Sequence, residues 1–424
     1  MAELFVGIDV GTSGVRACAI DHCGTIQGAA AVPLAPPRQD GAAIDQDPEL
    51  WWRATTSALG KLGETVDLRA VARIAVDGTS GTLLLIDADG RPCSPGLMYN
   101  DARATDEAKR IAAVAPPESG AHGTSSPLAK LMHLLARTTG AVRVAHQADW
   151  IAGRLAGRYG VSDENNALKL GYDPVQRRWP DWFDQLGVPR EVLPSILVPG
   201  TPFADIDPAM ARALGIASSA RIVAGTTDGV AAFIATGADT PGDAVTSLGT
   251  TLVLKVVATQ PIFAADQGVY SHRLGDKWLT GGASNSGGGA LLAHFSSDDM
   301  ERMTPLLRPD EPTGLDYYPL PKPGERFPIA DPTFAPRATP RPTEDHRFFQ
   351  ALLEGITGVE ALAYQRLQAL GAPALRRVIS IGGGAKNAAW NRIRERIIGV
   401  PVSVATQTEA SYGTALLALQ GPPR

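Results

Sequence analysis

Two aspartates, Asp9 and Asp228, stand where side chains could do chemistry. Each sits near the end of an apolar run, with glycine, threonine or serine beside it. Residues 7–16 read Gly-Ile-Asp-Val-Gly-Thr-Ser-Gly-Val-Arg, with strand-like runs over 4–10 and 15–20 flanking a tight turn. Gly11 and Gly14 let the backbone come close to a ligand and turn its N–H groups outward, and the Thr12 and Ser13 hydroxyls add donors suited to phosphate oxygens. A carboxylate beside bound phosphate is repelled unless a divalent cation lies between them, so Asp9 reads as a Mg2+ anchor, directly or through water. An ordinary hairpin with a capping Asp accounts for the same residues without chemistry. Asp228 lies within residues 220–237, where Ile222 and Val223 read as strand, 225–227 as a turn and 229–236 as a helix of small residues. It is either a helix N-cap or the one base in a cleft that ligands can enter.

Other segments repeat this logic. Residues 244–258 read as strand, Gly-Thr-Thr turn and strand, so Gly249, Thr250 and Thr251 form a second phosphate-facing turn in a duplicated domain. Residues 78–82, Gly-Thr-Ser-Gly-Thr, read as a further turn of this kind between strands at 71–77 and 83–87. Residues 378–381 are a strand that runs into Gly-Gly-Gly-Ala-Lys-Asn and then a helix, a nucleotide-binding arrangement. Asn387 takes the place of the third glycine of a dinucleotide fingerprint, and no P-loop sequence occurs. Residues 98–103 place Asn100, Asp101 and Arg103 at the end of an extended segment. Such clustering suits hydrogen bonding to a polyhydroxylated substrate; a solvated turn with an Asp N-cap and a surface Arg accounts for it equally.

These residues need elements to hold them. A chain of 424 residues, 44% hydrophobic, can bury large cores, and its length favours two or three domains, with two as the working number. Pro48 behind Asp47 marks a helix start, with Trp51 and Trp52 as packing residues. Helices are expected at 128–137, 147–158 and 348–370, with a last strand at 402–404. A final helix at 409–418 carries small residues that permit close packing beneath a nucleotide. The glycine-rich stretch 284–289 reads as a loop against the cleft, and the proline-dense stretch 305–342 as an irregular excursion over the second domain. With 39 basic against 44 acidic residues and no basic run, nucleic acid and anionic membranes are unlikely to be partners, and any phosphate must be bound locally. Cys18, Cys23 and Cys93 are odd in number and lack a Cys-x-x-Cys spacing, as expected of inert core thiols in a reducing cytoplasm. The strand pattern begins at Leu4, leaving no room for a signal peptide, and no apolar stretch reaches spanning length, so the expectation is a soluble cytoplasmic protein.

Taken together, Gly-Ile-Asp-Val-Gly-Thr-Ser-Gly-Val-Arg-Ala from Gly7, Gln-Asp-Pro-Glu-Leu-Trp-Trp from Gln46, Tyr-Asn-Asp-Ala-Arg from Tyr99, Ala-Gly-Thr-Thr-Asp-Gly-Val-Ala-Ala from Ala224, Ser-Leu-Gly-Thr-Thr from Ser247, and the segments from Gly382 and Glu409 resemble the FGGY family of carbohydrate kinases. The resemblance implies an α/β protein of two RNase H-like domains, of the actin, hexokinase and Hsp70 kind, flanking a deep catalytic cleft. Residues 1–238 would form the N-terminal domain, binding the sugar and carrying the base, and residues 239–424 the C-terminal, ATP-binding domain. It further implies that Asp228 is the general base, Asp9 the carboxylate associated with Mg2+, and Thr12 and Ser13 contacts to the transferred phosphoryl group. Gly249, Thr250 and Thr251 would form the second phosphate loop, and Gly383, Gly384 and Asn387 the adenosine site. Where xylulokinases carry a Met-His pair, Ser80 and Gly81 stand here, and the Arg-Glu pair of glycerol kinases is missing. The Asp-Gly-Thr-Ser-Gly-Thr and Tyr-Asn-Asp-Ala-Arg combination is similar to short FGGY kinases assigned to D-ribulose. The expectation is therefore an ATP- and Mg2+-dependent ketopentose kinase, D-ribulose first, with Ser80, Asp101 and Arg103 as substrate contacts and a homodimer as the protein partner considered. The alternatives are a kinase for D-xylulose or another polyol, a non-catalytic ATP-dependent sensor whose slow ATP hydrolysis is indifferent to sugars, and a degenerate kinase that binds sugar without acting on it.

Overall fold

The apolar runs that flank the first turn form adjacent antiparallel strands, Leu4–Val10 and Gly14–Ile20, nearly every residue of which is buried. In the computed structural model, which describes residues 3–140 and 142–422, they lie at the centre of a mixed sheet. Across that sheet the strands run Pro202–Asp205, Arg221–Val223, Val71–Gly78, Leu4–Val10, Gly14–Ile20 and Ile26–Pro33, and the short strand Thr226–Thr227 pairs with the end of Val71–Gly78. Val71–Gly78 is parallel to both of its main neighbours, the arrangement that places strand ends side by side. Helix Pro48–Leu62 starts as expected, with Asp47 accepting from the Glu49 N–H and Pro48 in the first turn. Its Trp51 is fully buried, and the indole N–H donates to Gln46 at 2.6 Å.

The turn at residues 78–82 does not join a hairpin. Val71–Gly78 already has partners along both edges, so Leu83–Ile86 leaves for a second, five-stranded sheet and pairs there with Gly96–Leu97 and Arg143–His146. The turn therefore connects two sheets.

The chain divides into two units, Met1–Gly237 together with Gln407–Arg424, and Ala238–Thr406. The final helix, Ala410–Gln420, thus packs within the first unit, although the sequence places it in the stretch expected to form the second domain, from residue 239 onward. Its small residues do permit close packing, but against the strand Leu4–Val10 and the helix Asp228–Ala235. A Cβ on Gly7 would fall 2.1 Å from the Ser411 carbonyl oxygen, and one on Gly413 1.9 Å from that of Ala231.

The second unit has its own six-stranded sheet, ordered Tyr270–Leu274, Lys277–Ser284, Leu252–Ala258, Asp243–Leu248, Arg377–Ile381 and Val402–Val404. Asp243–Leu248 pairs antiparallel with Leu252–Ala258 and parallel with Arg377–Ile381, which repeats the relation of the first hairpin to Val71–Gly78. Helices Asp345–Ala369 and Ala388–Ile398 bury their apolar faces in its core. Beneath them Arg394 and Glu360 form a fully buried ion pair that also engages Ser380 and Thr246. The proline-dense stretch is irregular as expected, yet Tyr317, Tyr318, Leu320 and Phe327 lie in the core. Only Cys18 of the three cysteines is a buried thiol, pushed up to about 11 by that burial; Cys23 is exposed and Cys93 half-buried. Among the described residues no helix is long and apolar enough to cross a membrane.

Candidate active site

Parallel pairing sets Asp9 directly opposite Asp77 at the ends of two central strands. Thr226 pairs with Asp77 from the other side, and the chain then turns at once into the helix that Asp228 begins. Gly225 makes this possible, since a Cβ there would lie 1.8 Å from the Val76 carbonyl oxygen. Three carboxylates are thereby gathered at one end of one sheet, near enough for their charges to act on one another.

Asp9 is 5% exposed, and the Arg16 guanidinium donates to its Oδ2 at 3.0 Å. Burial pushes its carboxyl above the usual range, Arg16 opposes that shift, and the Asp228 charge adds to it. Asp77 is completely buried. The Thr414 hydroxyl, on the final helix, donates to its Oδ2, while its Oδ1 has no hydrogen-bond partner among the described residues. Burial first, then the Asp9 charge, holds the Asp77 carboxyl well above its ordinary range; Thr414 works against this and Asp228 with it. Oxygen donors crowded together, one of them unpartnered and buried, fit a hard divalent cation such as Mg2+, and Asp9 and Asp77 are the residues that would hold it.

Asp228 is half-buried and accepts from the Gly229 N–H at 2.7 Å. Thr227, not Asp228, occupies the capping position, so the carboxylate is the first side chain of the helix. The turn beside Asp9 is closed by the Gly11 N–H to the Gly14 carbonyl at 3.0 Å, with Thr12 half-exposed and Ser13 exposed. Gly14 serves the sheet: a Cβ there would meet the Val32 carbonyl oxygen at 2.7 Å.

The residues expected to face a sugar lie in this same unit. Ser80 is half-buried in the turn at 78–82, whose Thr79 N–H and hydroxyl both donate to the Gln147 Oε1, at 3.1 and 2.9 Å. Asp101 has no exposed surface. Its carboxylate accepts from the Ile44 N–H at 2.6 Å and from Arg103 Nε at 2.8 Å, and Arg103 also reaches Asp45 at 2.7 Å. Asp101 is thus committed to holding the loop and Arg103, so direct contact of its carboxylate with a substrate would require those bonds to open.

In the second unit, Gly249, Thr250 and Thr251 form the turn of the second hairpin, and the glycine-rich stretch braces it: Gly288 N–H donates to Gly249 O and Gly289 N–H to Thr250 O, at 2.8 and 2.9 Å. Gly383 and Gly384 sit in a short 3-10 turn, with no room at 384 for a side chain against Trp390 and Leu248. Asn387 caps the next helix, its Oδ1 accepting from the Trp390 N–H at 3.0 Å, while its amide donates to Thr304 at 3.2 Å.

Residues 4–235 match the N-terminal domain of the FGGY family of carbohydrate kinases, and residues 244–420 match its C-terminal domain. The chain belongs to the FGGY family of carbohydrate kinases. As a member it is a phosphotransferase acting on a sugar hydroxyl. Among similar proteins, the xylulose kinase of Escherichia coli (strain K12) is 26% identical over 439 residues, covering 98% of this chain and 89% of that one. A xyloylose kinase from Brucella ovis superimposes with a TM-score of 0.88 at 22% identity, covering 100% of this chain and 93% of the other. A gluconate kinase from Lactobacillus acidophilus gives 0.84 at 19% identity, over 99% and 89%. The fold is the two-domain α/β fold of these kinases, and since proteins named for different sugars fit it almost equally well, the fold alone does not select the acceptor.

Proposed function

We propose that the protein transfers the terminal phosphoryl group of ATP to a terminal hydroxyl of a ketopentose, D-ribulose first, with D-xylulose as the alternative. The observation that carries the reaction is the convergence of Asp9, Asp77 and Asp228 at one end of the first sheet. Asp228 is the base: it takes the proton from the attacking hydroxyl as that oxygen bonds the γ-phosphorus and the bond to the ADP oxygen breaks, the electron pair leaving with ADP. Thr12 and Ser13 contact the transferred group, and the turn at residues 249–251 binds phosphate. Gly383 and Gly384 give the adenosine a surface free of side chains, and Asn387 shapes that surface as a cap. Bound Mg2+ at Asp9 and Asp77 would neutralise phosphate charge. Water is kept from the buried Asp77, which preserves the strength of the local electrostatics.

On the sugar side, Ser80 and Arg103 offer the polar contacts, and Asp101 supports Arg103. The curated relatives named as xylulose kinases favour D-xylulose, whereas Ser80 and Gly81 in place of a Met-His pair, together with the Tyr-Asn-Asp-Ala-Arg segment, favour its C3 epimer, D-ribulose. Measuring ADP release with MgATP against D-ribulose, L-ribulose, D-xylulose, L-xylulose, ribitol and glycerol separates them. Asp228→Asn is expected to retain MgATP binding and to lose sugar-dependent turnover by about 100- to 10,000-fold. Turnover at the wild-type rate in that variant would remove Asp228 from its role, and no response to any ketopentose would refute the proposed substrate class.

A further inference from the structure

Lys130 lies in helix Pro127–Leu135 with its side chain completely buried, and the proposed reaction makes no use of it. Its Nζ donates to three backbone carbonyls: Gly81 at 2.9 Å, Met98 at 2.7 Å and Tyr99 at 3.1 Å. Those carbonyls belong to the two loops that carry Ser80 on one side and Asn100, Asp101 and Arg103 on the other. We propose that Lys130 is a positioning residue for the acceptor sugar, fixing these two loops so that the backbone N–H groups of Tyr99 and Asn100 are held outward as donors to sugar hydroxyls. The inference rests on the reading of these loops as the sugar side.

A trans peptide points its C=O and N–H in opposite directions. With the Met98 and Tyr99 carbonyls drawn inward to Lys130, the N–H groups of Tyr99 and Asn100 face away from it. Both residues are exposed, and neither N–H finds an acceptor among the described residues, although the turn they occupy is closed by the Asp101 N–H to Met98 O at 3.0 Å. Two adjacent outward N–H groups, on a loop that Lys130 ties to the one carrying Ser80, suit the oxygens of a polyol. An ammonium matches the inner side equally well, because it has three donors and no acceptor. A buried methylene chain ending in a methyl would leave three carbonyls aimed at apolar surface. Burial opposes the charge and pushes the Lys130 pKa down to about 7, the facing Asp101 acting to raise it and Lys169 and Arg103 to lower it further. A group held at such cost has a task beyond filling space.

The test is Lys130→Met in the full chain, with thermal melting and MgATP binding as controls for folding. The KM for the responding ketopentose is expected to rise about tenfold or more, since the net worth of each hydrogen bond is about a factor of ten at most and two donors lose their fixed direction. The KM for ATP should stay within about twofold, as phosphate contacts lie on other segments. An unchanged sugar KM in the folded variant, or an equal rise in both constants, would overturn the proposal. Should the variant fail to fold, Lys130→Gln, whose amide keeps two N–H donors for the same carbonyls, takes its place, and an unchanged sugar KM in that folded variant overturns the role. Absence of any sugar-dependent turnover in the wild type would be a failure of the proposed function itself and would take this inference with it.

Discussion

Thr414 ties the end of the chain to the carboxylate cluster, and Thr414→Val isolates that tie. Valine keeps the shape of the side chain and removes only the hydroxyl that donates to Asp77 Oδ2. The substitution removes the hydroxyl donor from a completely buried carboxylate and leaves it with the neighbouring Asp9 carboxyl alone. A hydrogen bond to a charged group contributes about 1.5–3 kcal/mol, so the variant should lose roughly that much stability where Asp77 is ionised. The pH dependence gives the reasoning its sharper test. Burial and the Asp9 charge raise the folded pKa of Asp77, and the Thr414 hydroxyl holds it down, so removing that hydroxyl raises it further. A raised carboxyl contributes stability that is complete below its unfolded pKa and is lost as pH rises through its folded pKa. The deficit of Thr414→Val should therefore be smallest in acid, where the carboxyl is protonated in both proteins, and grow toward alkaline pH. Urea unfolding of both proteins across that range measures it. A deficit equal at every pH would mean a packing loss alone, and no deficit would mean that the bond contributes nothing to the fold.

Two further substitutions probe the framework. Gly225→Ala places a Cβ 1.8 Å from the Val76 carbonyl oxygen, so overpacking should cost about 1–3 kcal/mol or more in denaturation, with kcat falling as the strand before Asp228 shifts; wild-type stability would contradict that close approach. Arg394→Met leaves the buried Glu360 without its cationic partner and should cost about 3–5 kcal/mol, most of it recovered when Glu360 is replaced as well; a double variant no more stable than the single one would refute the ion-pair account.

Elements with strong local signals were legible in the sequence. The first hairpin, the Asp47 and Pro48 helix start, the second Gly-Thr-Thr turn and the strand before the glycine run all fall where apolar periodicity and turn residues put them. Pairings between distant strands were not. Asp77 ended a recognised strand, but nothing local says that this strand runs parallel to Leu4–Val10 with Asp77 opposite Asp9. The turn at 78–82 looked like a hairpin turn because its residues suit one, and only the occupied edges of Val71–Gly78 send the chain to another sheet. Asp101 and Arg103 had the residue types of a binding loop, while the burial that commits Asp101 to Ile44 and Arg103 depends on a partner far away in sequence. Lys130 did leave a signal: a lysine inside the apolar run Pro-Leu-Ala-Lys-Leu-Met is out of place on a buried helix face unless something beneath it needs three donors. Thr414 and Gln147 gave none, because a threonine among small residues and a glutamine at a helix start have many ordinary uses.

The first unit is written in two pieces, with the whole of the second unit between them. A chain made from its N-terminus acquires Asp9, Asp77 and Asp228 well before it acquires the helix that lies against Gly7 and supplies Thr414. Until then the central strand lacks its cover and the most deeply buried of the three carboxylates lacks its donor. A chain interrupted before Ala410 would carry every candidate catalytic side chain but lack the helix that covers the strand Leu4–Val10 and the hydroxyl that donates to Asp77.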